Sequence, residues 1–392
     1  MLRRPFLIIA GALWLTALGL AALLVVVDPY GLYRAVPDGA PLRFESQHAP
    51  WLIRRMARDR AADVVLIGSS PTAMVTPDDM HLAYPDAHAP LNASYHGQFT
   101  TDRLVVMREF AAHPTARRYI VTADFFLAGQ HAELRPDFPT FAYDASWRND
   151  YRWLDLTALR AARSVHGGGP PFPGNDAATA WERAQNVSMW RAFHTQDNWA
   201  ALGRAMTLRD ATLQRKSIAC TDFPALPEFV DLLRALTRRG AELDVLIPVY
   251  APTHYFEIAA SARRSTTFGG AVLERQLAFR GCLVGMLEST VGAKVFAADQ
   301  DASFAGDIDH FRDAGHLYGR TNILHMLRAA NDPANRLTPA TFPAYRARVR
   351  AMVANFRLKA WDPAWAEACA PDCMPPHPSA ISGASSCFIP IV

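Results

Sequence analysis

Two short segments of the sequence carry the side chains that acyl-transfer chemistry requires. One is Gly68-Ser69-Ser70, and the other places Asp307 three residues before His310. A serine hydroxyl is too weakly acidic to attack an acyl carbon unaided, so a neutral imidazole must take its proton while a carboxylate fixes the imidazole tautomer. The sequence therefore predicts Ser70 as a nucleophile, His310 as its general base and Asp307 as the acid that orients the base.

Each segment also has a simpler interpretation. Gly-Ser-Ser after a strand is common as a turn with a serine cap, and the segment around His310 is typical of a surface loop with helix-capping aspartates. However, the carboxyl ends of parallel strands are where α/β sheets bind ligands, and a helix start after Ser70 would favour an anion. The two segments together favour catalysis more than either does alone.

Short apolar runs alternate with amphipathic segments along most of the chain. Runs rich in Val, Leu and Ile predict four buried strands, at 63–68, 119–122, 243–247 and 294–297. Helical spacing predicts helices at 51–60, 101–112, 226–239 and about 313–330. Strands that alternate with helices imply a parallel sheet flanked by helices on both faces, so the predicted fold class is three-layer α/β.

The predicted organisation has five parts. These are an N-terminal transmembrane anchor at 1–28, a linker and first helix at 29–60, the α/β domain at 61–335, a C-terminal helical region at 336–370 and a weakly ordered tail at 371–392. Residues from about 130 to 217 are rich in Trp, Asp, Arg and Pro. We expect this segment to be an insertion of helices and loops that covers an edge of the sheet.

The N-terminal segment has the pattern of a membrane helix. The stretch from Pro5 to Val27 contains no charged side chain, and a bilayer core needs about 20 such residues in a helix. Arg3 and Arg4 precede it, so the positive-inside rule places the body of the chain beyond the cytoplasm. The alternative is a cleaved signal peptide, but the end of the segment lacks the small residues of a cleavage site.

Charge and cysteine content restrict the function classes. The net charge is only +3 and no run of Lys or Arg occurs, so nothing indicates nucleic acid as a partner. Five cysteines fit an oxidising compartment, but their pairing is open and an odd number leaves at least one free. Cys369 and Cys373 have no second pair at ligand spacing, so the sequence predicts neither a metal nor a cofactor.

The combination of Gly-x-Ser after the first strand and Asp-x-x-His before the last helix resembles the SGNH (GDSL-like) hydrolases over roughly residues 63–330. The closer likeness is to membrane-anchored bacterial members of the alginate O-acetylation type, with Asp28-Pro29-Tyr30-Gly31 after the anchor and Asp124-Phe125-Phe126 after the second predicted strand. The resemblance implies an SGNH/flavodoxin-like fold and the roles already given for Ser70, His310 and Asp307. It also implies that the backbone N–H of Gly97 contributes to an oxyanion hole.

The sequence departs from this family at a position that matters for catalysis. Soluble members have Gly-x-Asn-Asp where this chain has Thr122-Ala123-Asp124, and an ionised Asp124 cannot donate to an oxyanion. Losing one such donor costs about 10²–10³ in rate. Asn92 or another donor replaces it, or activity is weak or absent; the favoured interpretation is that Asp124 is structural, capping a loop or pairing with an arginine. His254 follows the third predicted strand as a pocket wall or a plain loop residue.

Three function classes remain open from the sequence. The first is a serine esterase or O-acyltransferase of the inner-membrane surface that acts on acyl groups, with acetyl favoured, of an envelope or exported polysaccharide. The second is a non-catalytic binding or assembly protein of the cell envelope. The third is a thiol-based or metal-dependent protein. The first class implies as partners the membrane, through the N-terminal helix, a polysaccharide substrate and a membrane acyl-donor protein.

The side chain of His316 is expected to be solvated.

Overall fold

The computed structural model describes residues 3–27, 53–54, 57, 62–95, 97–129, 134, 138, 143, 188–262 and 271–361. The chain begins with helix α1, Arg3–Val27. Side chains of α1 are described from Ile9 to Leu23 and at Val26, and the large apolar ones, such as Leu13 and Trp14, are exposed. Within the described residues, no helix has both the length and the apolarity that crossing a bilayer requires.

The centre of the molecule is a six-stranded sheet in the order β2-β1-β3-β4-β5-β8. The first five strands of that order are parallel, and β8 pairs antiparallel with β5. Their bounds are Val64–Ile67 (β1), Pro90–Asn92 (β2), Arg118–Thr122 (β3), Glu242–Ile247 (β4), Ala293–Ala297 (β5) and Arg336–Leu337 (β8). Phe311–Asp313 (β6) and His316–Leu317 (β7) form a separate antiparallel hairpin.

Helices cover both faces of the sheet. After α1 they are Pro77–Ala83 (α2), Thr100–Ala112 (α3), Gln196–Met206 (α4), Arg209–Leu213 (α5), Leu226–Thr237 (α6), Pro252–Ala262 (α7), Val272–Leu287 (α8), Ala302–Gly306 (α9), Gly319–Ala329 (α10) and Phe342–Asn355 (α11). Alternate residues of one strand enter different cores: Val65 packs with α3, α6 and α8, whereas Leu66 packs with α2 and α10. Burial on both faces explains why the strands are continuous apolar runs.

The sequence prediction of an α/β fold is confirmed at this level: a mostly parallel sheet lies between two layers of helices. The four predicted strands correspond to β1, β3, β4 and β5, and the predicted helices at 101–112 and 226–239 correspond to α3 and α6. Most of the predicted helix at 51–60, the tail at 371–392 and most of the insertion lie outside the described residues. The described end of the insertion, from 188 onward, is largely helical.

The prediction for the last helix of the α/β domain is wrong at its start. A helix from about Asp313 was expected, but residues 311–317 form the β6–β7 hairpin and α10 begins at Gly319. Phe311 and Leu317 are paired across the hairpin and buried, and Ala314-Gly315 forms the turn between its strands. Pairing of these apolar ends outweighs the helical spacing that the same residues also show.

A disulfide joins Cys220 and Cys282, with Cα atoms 5.6 Å apart. Cys220 lies in a short 3₁₀ turn before α6, and Cys282 lies in α8. The pairing that the sequence left open is therefore settled for these two residues, and the other three cysteines lie outside the described residues.

Candidate active site

The carboxyl ends of β1, β3 and β4 lie side by side, because these strands are parallel neighbours in the middle of the sheet. The chain leaves β1 through Gly68-Ser69-Ser70, leaves β3 through Asp124 and leaves β4 towards Tyr250. In open α/β sheets, ligands bind at this edge, near the point where the strand order reverses. Polar side chains here are therefore the first candidates for a functional site.

Gly68 allows three hydroxyl-bearing side chains to gather at the end of β1. A Cβ atom at this position would lie 2.2 Å from Oγ1 of Thr72, 2.7 Å from Oγ1 of Thr122 and 3.0 Å from Oγ of Ser94. Thr72 also donates its hydroxyl hydrogen to Ser94 at 3.0 Å. Any side chain at Gly68 would displace the turn that follows β1, so the space around this residue requires glycine.

Asp124 belongs to a buried ion pair. Its Oδ2 atom accepts hydrogen bonds from Nη2 of Arg103 and from the hydroxyl of Ser69, and both charged side chains are 1% exposed. Nη1 of Arg103 also donates to the carbonyl of Thr122 at 2.8 Å, which holds the guanidinium at the end of β3. The pairing of Asp124 with an arginine, which the sequence analysis favoured, is present in the structure.

The ion pair removes an objection to acyl chemistry at this edge. A lone carboxylate would repel a developing oxyanion, whereas a carboxylate that shares its oxygen with a guanidinium presents little net charge. The same contacts commit the hydroxyl of Ser69 to Asp124. Ser69 is also 2% exposed, so it cannot be reached by a substrate.

Ser70 differs from Ser69 both in its exposure and in the hydrogen bonding of its hydroxyl. Its side chain is half-buried, and its hydroxyl makes no hydrogen bond within the part of the chain that the structure describes. The turn that carries it is held by backbone hydrogen bonds from Thr72 to Ser69 at 3.0 Å and from Ala73 to Ser70 at 3.4 Å. Of the two serines, only Ser70 therefore offers a hydroxyl that a base could deprotonate.

The β6–β7 hairpin lies across this edge of the sheet. Near β1, Nη1 of Arg312 contacts Sδ of Met74 at 2.8 Å. Near β4, the backbone N–H of Ala251 donates to the carbonyl of Ala314 at 3.1 Å. The hairpin thus spans the ends of the strands that carry Ser70 and Tyr250.

Asp313 and His316 form a hydrogen-bonded pair within the hairpin. Nδ1 of His316 lies 2.6 Å and 2.8 Å from the two carboxylate oxygens of Asp313, and the N–H of Gly315 donates to Oδ1 at 2.9 Å. Burial acts to raise the pKa of Asp313, but its interactions with His316, the N–H of Gly315 and the charge of Arg312 together leave this pKa below its ordinary value. Nε2 of His316 is buried and has no hydrogen-bond partner among the described residues. Imidazole geometry of this kind is that of a general base with its orienting acid.

Asp307 and His310, the pair predicted from the sequence, do not contact each other in this way. The carboxylate of Asp307 caps the 3₁₀ turn at Ile308–His310 and accepts from the N–H of Asp309 at 3.0 Å. Nδ1 of His310 lies 2.9 Å from the carbonyl of Phe304, on whose ring the imidazole stacks. Of the two Asp-x-x-His segments, only the second therefore joins its acid and imidazole by side-chain hydrogen bonds. The side chain of His316 was expected to be solvated; it is 24% exposed, and its Nδ1 atom is bonded to Asp313.

His254 lies beside the hairpin and lines the same edge. Its ring stacks on Tyr250 at 5.0 Å, meets Phe125 edge-on at 4.5 Å and would be 3.6 Å from a Cβ atom at Gly315. Burial lowers the pKa of His254 to about 3; the nearby His316 adds to the lowering and Asp313 opposes it. His254 is therefore a neutral wall of the site and not a proton carrier near neutral pH.

Asn92 is not available as an oxyanion donor. Both hydrogens of its amide nitrogen are used, because Nδ2 donates to the carbonyls of Thr72 and Val75 at 2.8 Å each. Its Oδ1 atom accepts from the N–H of Ser94 at 2.9 Å. Replacement of the family asparagine by Asn92 was one of the alternatives from the sequence; in this structure the side chain instead ties β2 to the turn that carries Ser70. Gly97 is exposed and has a φ of 71°, a conformation that glycine adopts without strain.

The sequence analysis gave no role at this edge to three residues: Arg103, Asp313 and His316. Arg103 lies in α3, and no local pattern links it to Asp124, 21 residues later. Asp313 and His316 did carry a signal, since they repeat the Asp-x-x-His spacing of Asp307 and His310, but the expected helix concealed it. No group of three or more side chains suited to a metal ion occurs among the described residues.

Neither a protein-family model nor a curated protein matches this chain.

Proposed function

We propose that this chain is a serine-type esterase or O-acyltransferase with an SGNH-like fold, in which Ser70 is the nucleophile, His316 the general base and Asp313 its orienting acid. The observation that carries the proposal is the hydrogen-bonded Asp313–His316 pair, on a hairpin that contacts Met74 four residues after the free hydroxyl of Ser70. The strand order β2-β1-β3-β4-β5 supports the fold, since it is the flavodoxin-like doubly wound order.

The first chemical step transfers the acyl group to the enzyme. Oγ of Ser70 attacks the acyl carbon as its proton passes to Nε2 of His316, and Asp313 stabilises the imidazolium that results. The tetrahedral intermediate then expels the alcohol oxygen, which takes the proton back from His316. The products of this step are acyl-Ser70 and a free sugar hydroxyl.

The second step distinguishes hydrolase from transferase. Either water or an acceptor hydroxyl gives its proton to His316 and attacks acyl-Ser70. The tetrahedral intermediate then expels Oγ of Ser70, which takes that proton back from His316, so that the serine and the neutral base are restored. The backbone N–H of Gly97 is a proposed oxyanion donor by the family resemblance, and we propose the backbone N–H of Ser70 as a second donor. Because Arg103 neutralises the carboxylate of Asp124, that carboxylate does not repel the negatively charged intermediate.

We further propose that the chain is a single-pass protein of the bacterial inner membrane with its body in the periplasm. The apolar stretch from Pro5 to Val27 and the exposed apolar side chains of α1 support an anchor. The disulfide between Cys220 and Cys282 supports an oxidising compartment. The proposed substrate is an acyl group, with acetyl favoured, on an envelope or exported polysaccharide, and a membrane acyl-donor protein is the proposed partner of the transferase form.

A serine-directed fluorophosphonate probe tests the proposed nucleophile. The full-length protein, purified in an uncharged detergent, is compared with Ser70→Ala and His316→Ala. Ser69→Ala and His310→Ala are matched controls, because each alters the same residue type a few positions away. We expect labelling of the wild type and both controls, and loss of labelling in the two site variants.

Two outcomes would contradict this assignment. Labelling that survives Ser70→Ala would place the nucleophile elsewhere. Absence of labelling in a well-folded wild type would favour a non-catalytic binding or assembly protein of the cell envelope.

A further inference from the structure

A second polar region lies on the helices of one face of the sheet and shares no residue with the Ser70 edge. It is a cleft of about 530 Å³ between α8, α11 and the segment that follows α5. Its charged lining consists of Arg215, Lys216, Glu274, Arg346 and Arg350. Four cations therefore surround one carboxylate.

The single carboxylate is fully engaged by two of the cations. Glu274 is 1% exposed, and its two oxygens accept from Nη2 of Arg346 at 2.6 Å and from Nη2 of Arg350. Arg346 and Arg350 are four residues apart on α11, so they lie on the same side of the helix. Glu274 thus holds two guanidinium groups side by side while neutralising only one positive charge.

The remaining positive charge has no compensating acid nearby in the sequence. From Pro333 to Trp361 the chain contains no Asp or Glu. The guanidinium groups of Arg215 and Arg350 line the same cleft, and burial, and after it the charge of Arg215, lowers the pKa of Arg350. Arg215 and Lys216 are themselves exposed, so their charged ends are open to a ligand.

We infer that this cleft binds a phosphate group, which the guanidinium pair of Arg346 and Arg350 and the cations Arg215 and Lys216 would hold. Guanidinium groups bind phosphate oxygens through paired hydrogen bonds, and an ammonium adds a point charge. The phosphate can belong to a soluble phosphate compound or to the headgroup of an anionic lipid.

The test is calorimetric titration of the full-length protein, in an uncharged detergent, with inorganic phosphate and with glycerophosphoglycerol, the headgroup of phosphatidylglycerol without its acyl chains. The site variant is Arg215→Gln with Lys216→Gln, since neither residue contacts Glu274 and the fold is therefore preserved. The matched control is Arg238→Gln with Arg239→Gln, two exposed residues at the end of α6, which removes the same charge elsewhere.

We expect saturable binding with a Kd of about 1 mM or lower for at least one ligand. The site variant should weaken it at least tenfold, the control less than twofold, and Ser70→Ala should leave it unchanged. Tighter binding of inorganic phosphate would indicate a soluble source, and tighter binding of the diester would indicate a lipid headgroup. Absence of saturation with both ligands, or equal weakening in the site variant and the control, would overturn the inference.

Discussion

Two segments six residues apart share the spacing Asp-x-x-His, and the structure gives them different environments. Asp307 and His310 belong to a 3₁₀ turn, where the acid caps a backbone N–H and the imidazole bonds to a carbonyl. Asp313 and His316 belong to a hairpin, where the two side chains bond to each other. Equal spacing therefore produces a hydrogen-bonded carboxylate–imidazole pair only where the backbone directs both side chains to the same side.

The largest expected difference between the segments concerns the two histidines. His316→Ala should lower the rate of acyl-Ser70 formation from an aryl acetate about 10⁴-fold, because the serine loses its proton acceptor. His310→Ala should change that rate less than about fivefold, since the ring of His310 is bonded to the Phe304 carbonyl. Burst kinetics with both variants measure the comparison. A greater loss of rate in His310→Ala than in His316→Ala would show that His310, and not His316, is the general base.

The two aspartates should differ by a smaller factor. Asp313→Asn should lower the same rate about 10³–10⁴-fold, because an amide oxygen cannot stabilise the imidazolium and the amide N–H favours the wrong tautomer. Asp307→Asn should keep the rate and reduce the free energy of unfolding by at most about 1 kcal/mol, because asparagine also caps helical turns. Equal rate losses in the two variants would show that spacing, and not the hairpin, defines the pair.

These contrasts mark what the sequence can and cannot reveal. Apolar runs predict β1, β3, β4 and β5 because burial on both faces leaves a continuous signal. The hairpin has no such signal, since Arg312, Asp313 and His316 interrupt its few apolar residues. Contacts between distant parts of the chain also leave no pattern in the sequence. Asn92, for example, bonds to the backbone carbonyls of residues 72 and 75, which any residue would carry there.

Acid should weaken the region of the hairpin through His254. The unfolded chain takes up a proton on this residue near its ordinary pKa of 6.5, whereas the folded chain does so only near 3. The contribution of the buried neutral ring is therefore complete above about pH 6.5 and is lost progressively as the pH falls towards 3. At pH 4.5, two units below 6.5, this amounts to about 2–3 kcal/mol.

Denaturant unfolding of the wild type and His254→Gln at pH 7.5 and pH 4.5 measures this effect. Glutamine does not titrate, so the variant should lose less stability than the wild type on acidification, by about the amount given above. A parallel loss in both proteins would mean that His254 is accessible to protons in the folded state.

The smallest expected effect concerns the salt bridge between Lys359 and Asp309, which lies within the first segment, Asp307 to His310. Nζ of Lys359 contacts Asp309 at the surface, where both side chains are about 40% exposed. Lys359→Ala should cost less than about 1 kcal/mol of unfolding free energy and leave the acylation rate unchanged. Thermal unfolding and burst kinetics measure the two quantities, and a large loss of rate would show that the first segment supports the site.

The ends of the sheet have a consequence for the behaviour of concentrated solutions. β8 covers one side of β5 with only two residues, and at the opposite side β2 is three residues long and begins with Pro90, which has no N–H. Long exposed strands recruit further chains by offering unpaired backbone groups, and short or proline-bearing ones do so poorly. The sheet therefore offers foreign strands little to extend at either margin, so aggregation by strand addition should require partial unfolding of the sheet first.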